Sequence, residues 1–470
     1  MLPAPQNYAV WPAVVPADET VQMTVAATGR AFLLTEGEEY RLTVISVDAD
    51  EVSYHEPATH RTLTAVAHGG VLQFEYAFPG EMEHLILLEQ GERKLGEMVI
   101  YSLKGDLYAL NPLKGDLHGH SFRSDGKRDP AALAGHYREQ GYDFFALTDH
   151  NRFYPGGEID EVFKDVEMSF FRVSGEEVHA PGSVVHIVHV GGTVSVAEQY
   201  VHDREGYEAA AETYMQKVPE TIPENYRERY AKAMWATDRI HAAGGLAIFP
   251  HPFWRPGKSK VHNVCADFAR ILLRSGMFDA YELIGGNGQL GNNRAVALWM
   301  ELREEGVRIP VVGSSDVHGL EKSSTFPHLF TICFAKSQTQ EAVIEAVKNG
   351  LTVAVEATGT EYERHFRCYG SYRLVTYAQF LLKHFFQNQQ RICQGEGPAM
   401  RAYANGEAPA ELVTLLGKQS AAYRARFFGN AAPVLPTQET LTFEAKWREI
   451  QLNGPITKGS SIDPPMTRQI

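Results

Sequence analysis

The residues best suited to chemistry begin at His118. His118 and His120 stand two positions apart, Asp125 follows in a Ser-Asp-Gly turn, and an apolar run at 144–147 ends in Thr148, Asp149 and His150. Residues two apart on a β-strand face the same side, so His118 and His120 are expected to point together. Between them and His150, residues 130–140 read as a helix. Strand, loop, helix and strand would then deliver three imidazoles and a carboxylate to strand ends and the loops after them. Parallel α/β folds hold their chemistry there. Neutral imidazole with carboxylate suits zinc, manganese or iron better than calcium or magnesium.

More donors recur at later strand ends. Residues 171–178 (FRVSGEEV) close on Glu176 and Glu177, of which only one can readily look into a shared site, because successive strand residues face opposite sides. In 184–191 (VVHIVHVG), His186 and His189 are three apart and so lie on opposite faces unless a bulge intervenes. His251 tips an apolar run between Pro250 and Pro252, which restrict the backbone around it. Asp316 and His318 in 313–319 (GSSDVHG) are again two apart and can both point inward. Glu282 ends another apolar run, either as a solvated strand end or as a partner to the donors.

The series Gly-Asp-Leu-His118-Gly-His120-Ser, Ser-Asp125-Gly and Phe-Ala-Leu-Thr-Asp-His150-Asn, in that order on a β-α-β pattern, resembles the PHP (polymerase and histidinol phosphatase) superfamily of metallohydrolases, most nearly its carbaryl-hydrolase-like group. The resemblance implies an α/β fold built on a distorted seven-stranded β/α barrel. It selects Glu177, as a carboxylate bridging two metals, with Glu176 beside it. It favours His186, with His189 kept as the alternative. The metal-donor set is then His118, His120, Asp125, His150, Glu177, His186, His251, Asp316 and His318. Nine donors exceed one tetrahedral ion, so spacing supports more than one divalent cation; the resemblance implies a trinuclear site, and two or three ions of zinc, manganese or iron per chain are expected. Some relatives carry histidine where this chain has Asp125, a position expected to affect metal preference.

The rest of the chain must position these residues. Its 470 residues are too many for one compact core. Residues 1–108 read as a β-sandwich, with short alternating runs at 21–26, 39–47, 71–76, 84–89 and 97–102. Residues 109–358 alternate strand and helix, as a parallel sheet or barrel does. Expected strands are 115–118, 144–148, 170–177, 184–190, 246–250, 280–283, 309–313 and 330–334; expected helices are 130–140, 225–243, 267–275, 293–305 and 338–349. The polar stretch 192–224 reads as either a lid over the site or a helical insertion. Residues 359–470 read as a helical extension. In it Leu374, Ala378, Leu381, Leu382 and Phe385 form one apolar stripe, meant for the barrel or for a second subunit, and 407–428 is another helix. The Gly-, Ser- and Pro-rich end, 453–470, is expected to lack fixed structure.

Composition narrows the function further. A formal net charge of −14 argues against a dedicated nucleic-acid face. No stretch is long and apolar enough to span a membrane, and the first residues lack the basic head and apolar run of a signal peptide, so a cytoplasmic protein is expected. Four scattered cysteines (Cys265, Cys333, Cys368, Cys393) read as buried thiols rather than a disulfide frame. There is no Gly-x4-Gly-Lys-Ser/Thr phosphate loop and no Gly-x-Ser-x-Gly elbow.

The chemistry left is hydrolysis of a small molecule by metal-activated water, a phosphate ester first. Arg255 is the expected cation for its non-bridging oxygens, with Arg123 and Arg152 as rivals, and His189 or His179 is the expected proton donor to the leaving group. Carbamate, ester or amide hydrolysis is the alternative, on a pocket drawn from Phe153, Tyr154, Phe253 and Trp254. A scaffold kept only for binding or assembly is the third reading, and a homo-oligomer is left open.

Overall fold

The structure is a computed structural model that describes residues 7–49, 60–257, 259–321, 323, 325–360 and 363–453. The chain falls into two compact units, one running from Leu103 to Phe427 and one combining the strands up to Ser102 with the chain from Phe428 onward. The segment expected to lack fixed structure lies, from residue 454, outside the described residues.

The first unit carries two mixed sheets. One is six-stranded, in the order Phe171–Val173, Phe144–Ala146, Asn111–Asp116, Leu329–Ala335, Thr352–Thr360, Glu363–Tyr369. The other is five-stranded, in the order Gly175–Val178, Ile187–Gly191, Gly245–Phe249, Ala280–Ile284, Val311–Gly313. Two isolated parallel bridges, Gly119 with Val317 and His150 with Glu177, link residues beyond the strand ends.

Every expected strand and helix of 109–358 has a counterpart, with ends shifted by a few residues. The pairing is less uniform than the alternation suggested. Gly175–Val178 and Ile187–Gly191 pair antiparallel, because the connection between them is too short and irregular for the crossover that a parallel pair needs. The strand Leu329–Ala335 also runs antiparallel to Asn111–Asp116. The hairpin of Thr352–Thr360 with Glu363–Tyr369 and the helix Pro155–Phe163 were not anticipated.

Strand alternation builds the two layers of core. Leu246, Ile248, Val188 and Val190 belong to one apolar cluster with Leu113, Phe144 and Val312. Ala247, Phe249, Tyr281 and Leu283 face the other way, onto the helices, with Trp235, Ile240, Phe268 and Leu272. Local signals start the helices where expected. Asp129 accepts from Ala132 N at 2.9 Å with Pro130 in the first turn, and Thr339 caps Gln340–Lys348. The stretch 192–224 is a helical insertion, Ala197–His202 and Arg204–Met215, that buries Tyr200, Tyr207 and Tyr214.

The helices Tyr372–Leu381, Gln387–Ala404 and Ala410–Phe427 belong to this same unit. The stripe Leu374, Ala378, Leu381, Leu382 and Phe385 is buried within the chain, without a second subunit. Gln387–Ala404 lies so close to the helix Pro130–Glu139 that a Cβ at Gly397 would strike the Gly135 carbonyl. In the second unit, a three-stranded antiparallel sheet and a five-stranded sheet share one core that includes Val10, Met23, Phe74, Leu42, Ile86 and Ile100. The thiols are free; Cys333 and Cys393 are buried, but Cys265 is exposed at the start of a helix rather than buried as expected. Among the described residues, no helix is long and apolar enough to cross a membrane.

Candidate metal centre

Most donor residues sit just past the strand ends, where loops are stitched to one another by backbone; Glu177 lies within Gly175–Val178 and His186 just before Ile187–Gly191. His120 N donates to Val317 O, Asp316 N to His118 O, Thr148 N to Gly119 O, and Asn151 N to Glu177 O, all within 2.8–2.9 Å. The Asp116 carboxylate braces the first loop: it accepts from His118 N at 3.2 Å, Ser315 N at 3.0 Å and the Tyr137 hydroxyl at 2.8 Å. Three of the non-glycine residues with positive φ lie here, Asn151 at 53°, His251 at 24° and Asp316 at 50°. Such backbone persists only where the surroundings over-determine it, and it gathers at functional sites.

These loops bring all nine expected donors together. They form interlocking groups: His118, His120, Glu177 and Asp316; His120, Asp125, His150 and His318; His150, Glu177 and His179; Glu177, His186 and His251. In the first group the donor atoms outline a tetrahedron. His118 Nε2 lies 3.2 Å from His120 Nε2, 3.4 Å from Glu177 Oε2 and 3.3 Å from Asp316 Oδ1. His120 Nε2 lies 3.5 Å from Glu177 Oε2 and 3.1 Å from Asp316 Oδ1. Two ligands ~2.1 Å from one ion at tetrahedral angles are roughly 3.4 Å apart.

Glu177 joins the groups. Its Oε2 faces His118, His120 and, at 2.8 Å, His150 Nδ1; its Oε1 faces His186 Nδ1 at 2.9 Å, His251 Nε2 at 3.2 Å and His179 Nε2 at 3.3 Å. Asp125 holds the outer side, with Oδ1 3.4 Å from His150 Nε2 and 3.3 Å from His318 Nε2.

Residues around the donors set their orientation. Glu282, fully buried rather than solvated, takes the other nitrogen of His118 at 2.8 Å, which leaves Nε2 turned toward the tetrahedron. His318 Nδ1 faces the Asp316 carbonyl at 2.9 Å, which turns its Nε2 toward Asp125. A Cβ at Gly286 would collide with the Asp316 carboxylate, so only glycine lets the chain pass there. Asp149 is no part of the donor set: it accepts from Ser121 N and from the Ser121 and Ser124 hydroxyls, and holds the turn that carries Asp125.

The charges are compressed. Burial opposes ionisation of Glu177, yet His118, His150 and His179 hold its carboxyl well below the usual range. Burial also works against a charged His150, but Asp125 and Glu177 push it up to about 10. His120 and His186, dominated by burial, are pushed down to about 4. Several buried atoms aimed into the cluster have no hydrogen-bond partner: Glu177 Oε2, His150 Nδ1, His179 Nε2 and His186 Nδ1. Buried polar atoms are rarely left so unless something else binds them. Imidazole and carboxylate at these spacings fit divalent metal ions.

The remaining expected residues fall elsewhere. His189 is fully buried on the opposite strand face, its Nδ1 3.2 Å from Glu176 Oε1 and its ring stacked on Phe153. It therefore does not reach a leaving group at the cluster. His186 escapes the strand's alternation because it precedes Ile187–Gly191. Arg255 is exposed on the turn after His251, and among the described residues it makes no hydrogen bond or ion pair that would bring it to the cluster. Arg123 pairs with Glu158 at 2.7 Å, and Arg152 donates to the Arg123 carbonyl. Of the four pocket aromatics, only Trp254 lies against donors, its ring 5.8 Å from His186 and 5.9 Å from His251. His179 was undervalued as a donor. Glu177 and His179 are two apart, the same signal that singled out His118 and His120.

No protein-family model matches the chain, and no curated protein matches it. Solved structures do. One is a two-domain protein of Bacteroides vulgatus, assigned by prediction a PHP-like metal-dependent phosphoesterase, at 17% identity and TM-score 0.38, covering 52% of this chain and 65% of that one. This chain thus spans less than two thirds of it. A second is a Bifidobacterium adolescentis protein assigned provisionally as a metal-dependent phosphoesterase, at 17% identity and TM-score 0.33, covering 45% of this chain and 91% of that one. A third is an amidohydrolase of Chromobacterium violaceum with bound sulfate and no metal, at 19% identity and TM-score 0.31, covering 45% and 89%.

Proposed function

We propose that the protein is a PHP-type metal-dependent hydrolase, acting first on phosphate esters of small molecules. The observation that carries the reading is the tetrahedron of His118, His120, Asp316 and Glu177 Oε2, joined through Glu177 Oε1 to His186 and His251. The bridges Gly119–Val317 and His150–Glu177 support a ring of seven strands, the distorted barrel that this family resemblance implies, with the donors at one mouth. The shared core of the two N-terminal sheets supports an accessory β-sandwich.

Two or three divalent ions held by these donors would supply Lewis acidity and lower the pKa of a water to about 7. The chain's own residues do the rest. Glu177 and Asp316 hold negative charge where cations collect, and Glu282 fixes the tautomer of His118. His118, His120, Glu177 and His251 are almost wholly buried, whereas His150, His179 and His318 are partly open and form the side from which a substrate enters.

A carbonyl substrate is the second reading. It is favoured by the absence, among the described residues, of an arginine whose contacts bring it to the cluster, and by Trp254 as an aromatic wall. Turnover of p-nitrophenyl phosphate, p-nitrophenyl acetate and an aryl carbamate, with manganese or zinc added, decides between them. Metal-dependent phosphatase activity that dominates the panel supports the first reading. A dominant esterase or carbamate hydrolase activity overturns it in favour of the second, and no metal-dependent turnover overturns both.

A further inference from the structure

A second cavity in the same unit has no share in the donor cluster. It opens between the strands Leu329–Ala335 and Glu363–Tyr369 and the helical segment that begins at Leu382. Three cationic side chains line it, Lys114, Arg364 and Arg391, and among the described residues no acidic one does. Lys114 is only 4% exposed. Its ammonium donates to the Gln140 carbonyl at 2.9 Å and lies 4.2 Å from the Tyr142 ring and 4.6 Å from the Phe330 ring. The nearest acid of its own layer, Asp143, is already engaged: its carboxylate pairs with Arg424 at 2.7 Å and accepts from the Lys114 amide and Gln389. Among the described residues, no carboxylate lies within ion-pair distance of the Lys114 ammonium or of Arg364.

In a chain of net charge −14, a cavity whose charged lining, among the described residues, is wholly cationic concentrates positive potential against the sign of the rest of the molecule. Burial first, and then Arg364, push the Lys114 ammonium down to about 7, and His328 is lowered by burial and then by Arg364 and Lys114. An anion between them would reverse that repulsion. The apolar side of the cavity comes from Phe330, Phe366 and Phe386, and its rim carries the amides of Gln387, Gln390 and Gln394. Leu382 and Phe386 reach it from a π-helical stretch, Leu382–Phe386, set between two α-helices. Such wide turns are rare and are frequently found at functional sites.

We propose that this cavity is a second binding site, taking a small organic anion in which one phosphate or carboxylate is joined to a flat apolar body. The anion sits between Lys114 and Arg364, with Arg391 at the mouth, and the flat body lies against Phe330, Phe366 and Phe386. Nothing in this reading depends on the metal centre or on hydrolysis.

The test is calorimetric titration of the full chain, stripped of metal, with phenylphosphonate, whose carbon–phosphorus bond a phosphoesterase does not cut. Inorganic phosphate and benzoate serve as parallel probes. Saturable binding of phenylphosphonate at one site per chain, tighter than inorganic phosphate and weakened by salt, is expected. Binding unchanged in Glu177→Gln but weakened about tenfold or more in Arg364→Gln supports the site, since a charge-assisted contact contributes at least that much. Lys114→Met should lose binding; because it alters a buried residue, Arg364→Gln on the half-open side carries the test if Lys114→Met does not fold. Three results overturn the proposal: no saturable binding, binding lost in Glu177→Gln, or full binding by Arg364→Gln. Phosphate binding as tightly as phenylphosphonate overturns the apolar half of it.

Discussion

Residues 103–427 bury two charged networks, and they differ in whether they are complete. In the first, Arg138 donates to Glu396 at 2.7 Å, to the Tyr142 carbonyl, and to the hydroxyls of Ser169 and Ser420; Arg424 joins Asp143 and Gln389. Among the described residues, no buried atom of Arg138, Glu396, Asp143, Gln389 or Arg424 lacks a partner. In the second, around Glu177, oxygens and imidazole nitrogens face one another at 2.8–3.5 Å, yet Glu177 Oε2, His150 Nδ1, His179 Nε2 and His186 Nδ1 are left without a hydrogen-bond partner, and the backbone is twisted into positive φ at His251 and Asp316. A complete network fixes one packing of helices on strands. An incomplete one, held rigid by its surroundings, is arranged for a charge that the polypeptide does not supply. The contrast separates residues that hold the fold from residues proposed to hold ions.

The largest effect should follow from changing the bridge. Glu177→Gln is expected to lower bound metal to one ion per chain or fewer and hydrolysis by more than about a hundredfold, read by elemental analysis and steady-state rates. Folding should survive. If metal content and rate are unchanged, Glu177 joins nothing.

Breaking the complete network should do the reverse. Arg138→Met leaves Glu396 buried without its partner, and a loss of about 3–5 kcal/mol is expected, measured by urea unfolding. The metal content of the folded fraction should stay at the wild-type value. Glu282→Gln sits between the two cases. It keeps the size of the side chain but weakens the hold on His118, and metal affinity is expected to fall about 10–100-fold with little change in stability.

The smallest effect is on pH. The metal-free protein holds a proton on His150 up to about pH 10, against the 6.5 of a free imidazole. A folded pKa raised above its unfolded value adds stability that is complete below about 6.5 and fades as pH rises toward 10. Metal-free protein should therefore lose stability across that window, and metal-loaded protein should not show this loss, because the imidazole is then bound as the neutral base. Binding should release protons at pH 7–8, seen as a dependence of the calorimetric heat on the buffer's ionisation enthalpy.

How far this was legible in the sequence depended on whether the signal was local. His118 with His120 and Asp316 with His318 announce themselves by a spacing of two, and His251 by its prolines. Glu177 and His186 needed the family resemblance, because alternation alone could not choose them over Glu176 and His189. The structure supplies the reason: Glu176 and His189 face each other across paired strands, on the side away from the cluster. His179 carried the spacing signal but stood beyond the strand end, where alternation is no longer a safe guide. The partnership of Glu282 with His118 spans more than a hundred residues and leaves no local trace. Arg255 was chosen for sequence proximity to His251, which does not say where a long exposed side chain points. In the fold, periodicity located strands and helices but not their direction, so the antiparallel pairs were missed. The C-terminal helices read only as an extension because the contacts that tie them to the rest of the unit, Arg138 with Glu396 and Arg424 with Asp143 among them, join residues far apart in sequence and leave no local signal.

The claim that Glu177 serves two ions through its two oxygens is tested most directly by electron paramagnetic resonance of the manganese-loaded protein. At least two ions per chain with an exchange-coupled signal is the expected result, reduced to isolated ions in Glu177→Gln. A wild-type spectrum of uncoupled manganese alone, or fewer than two ions per chain, would contradict it.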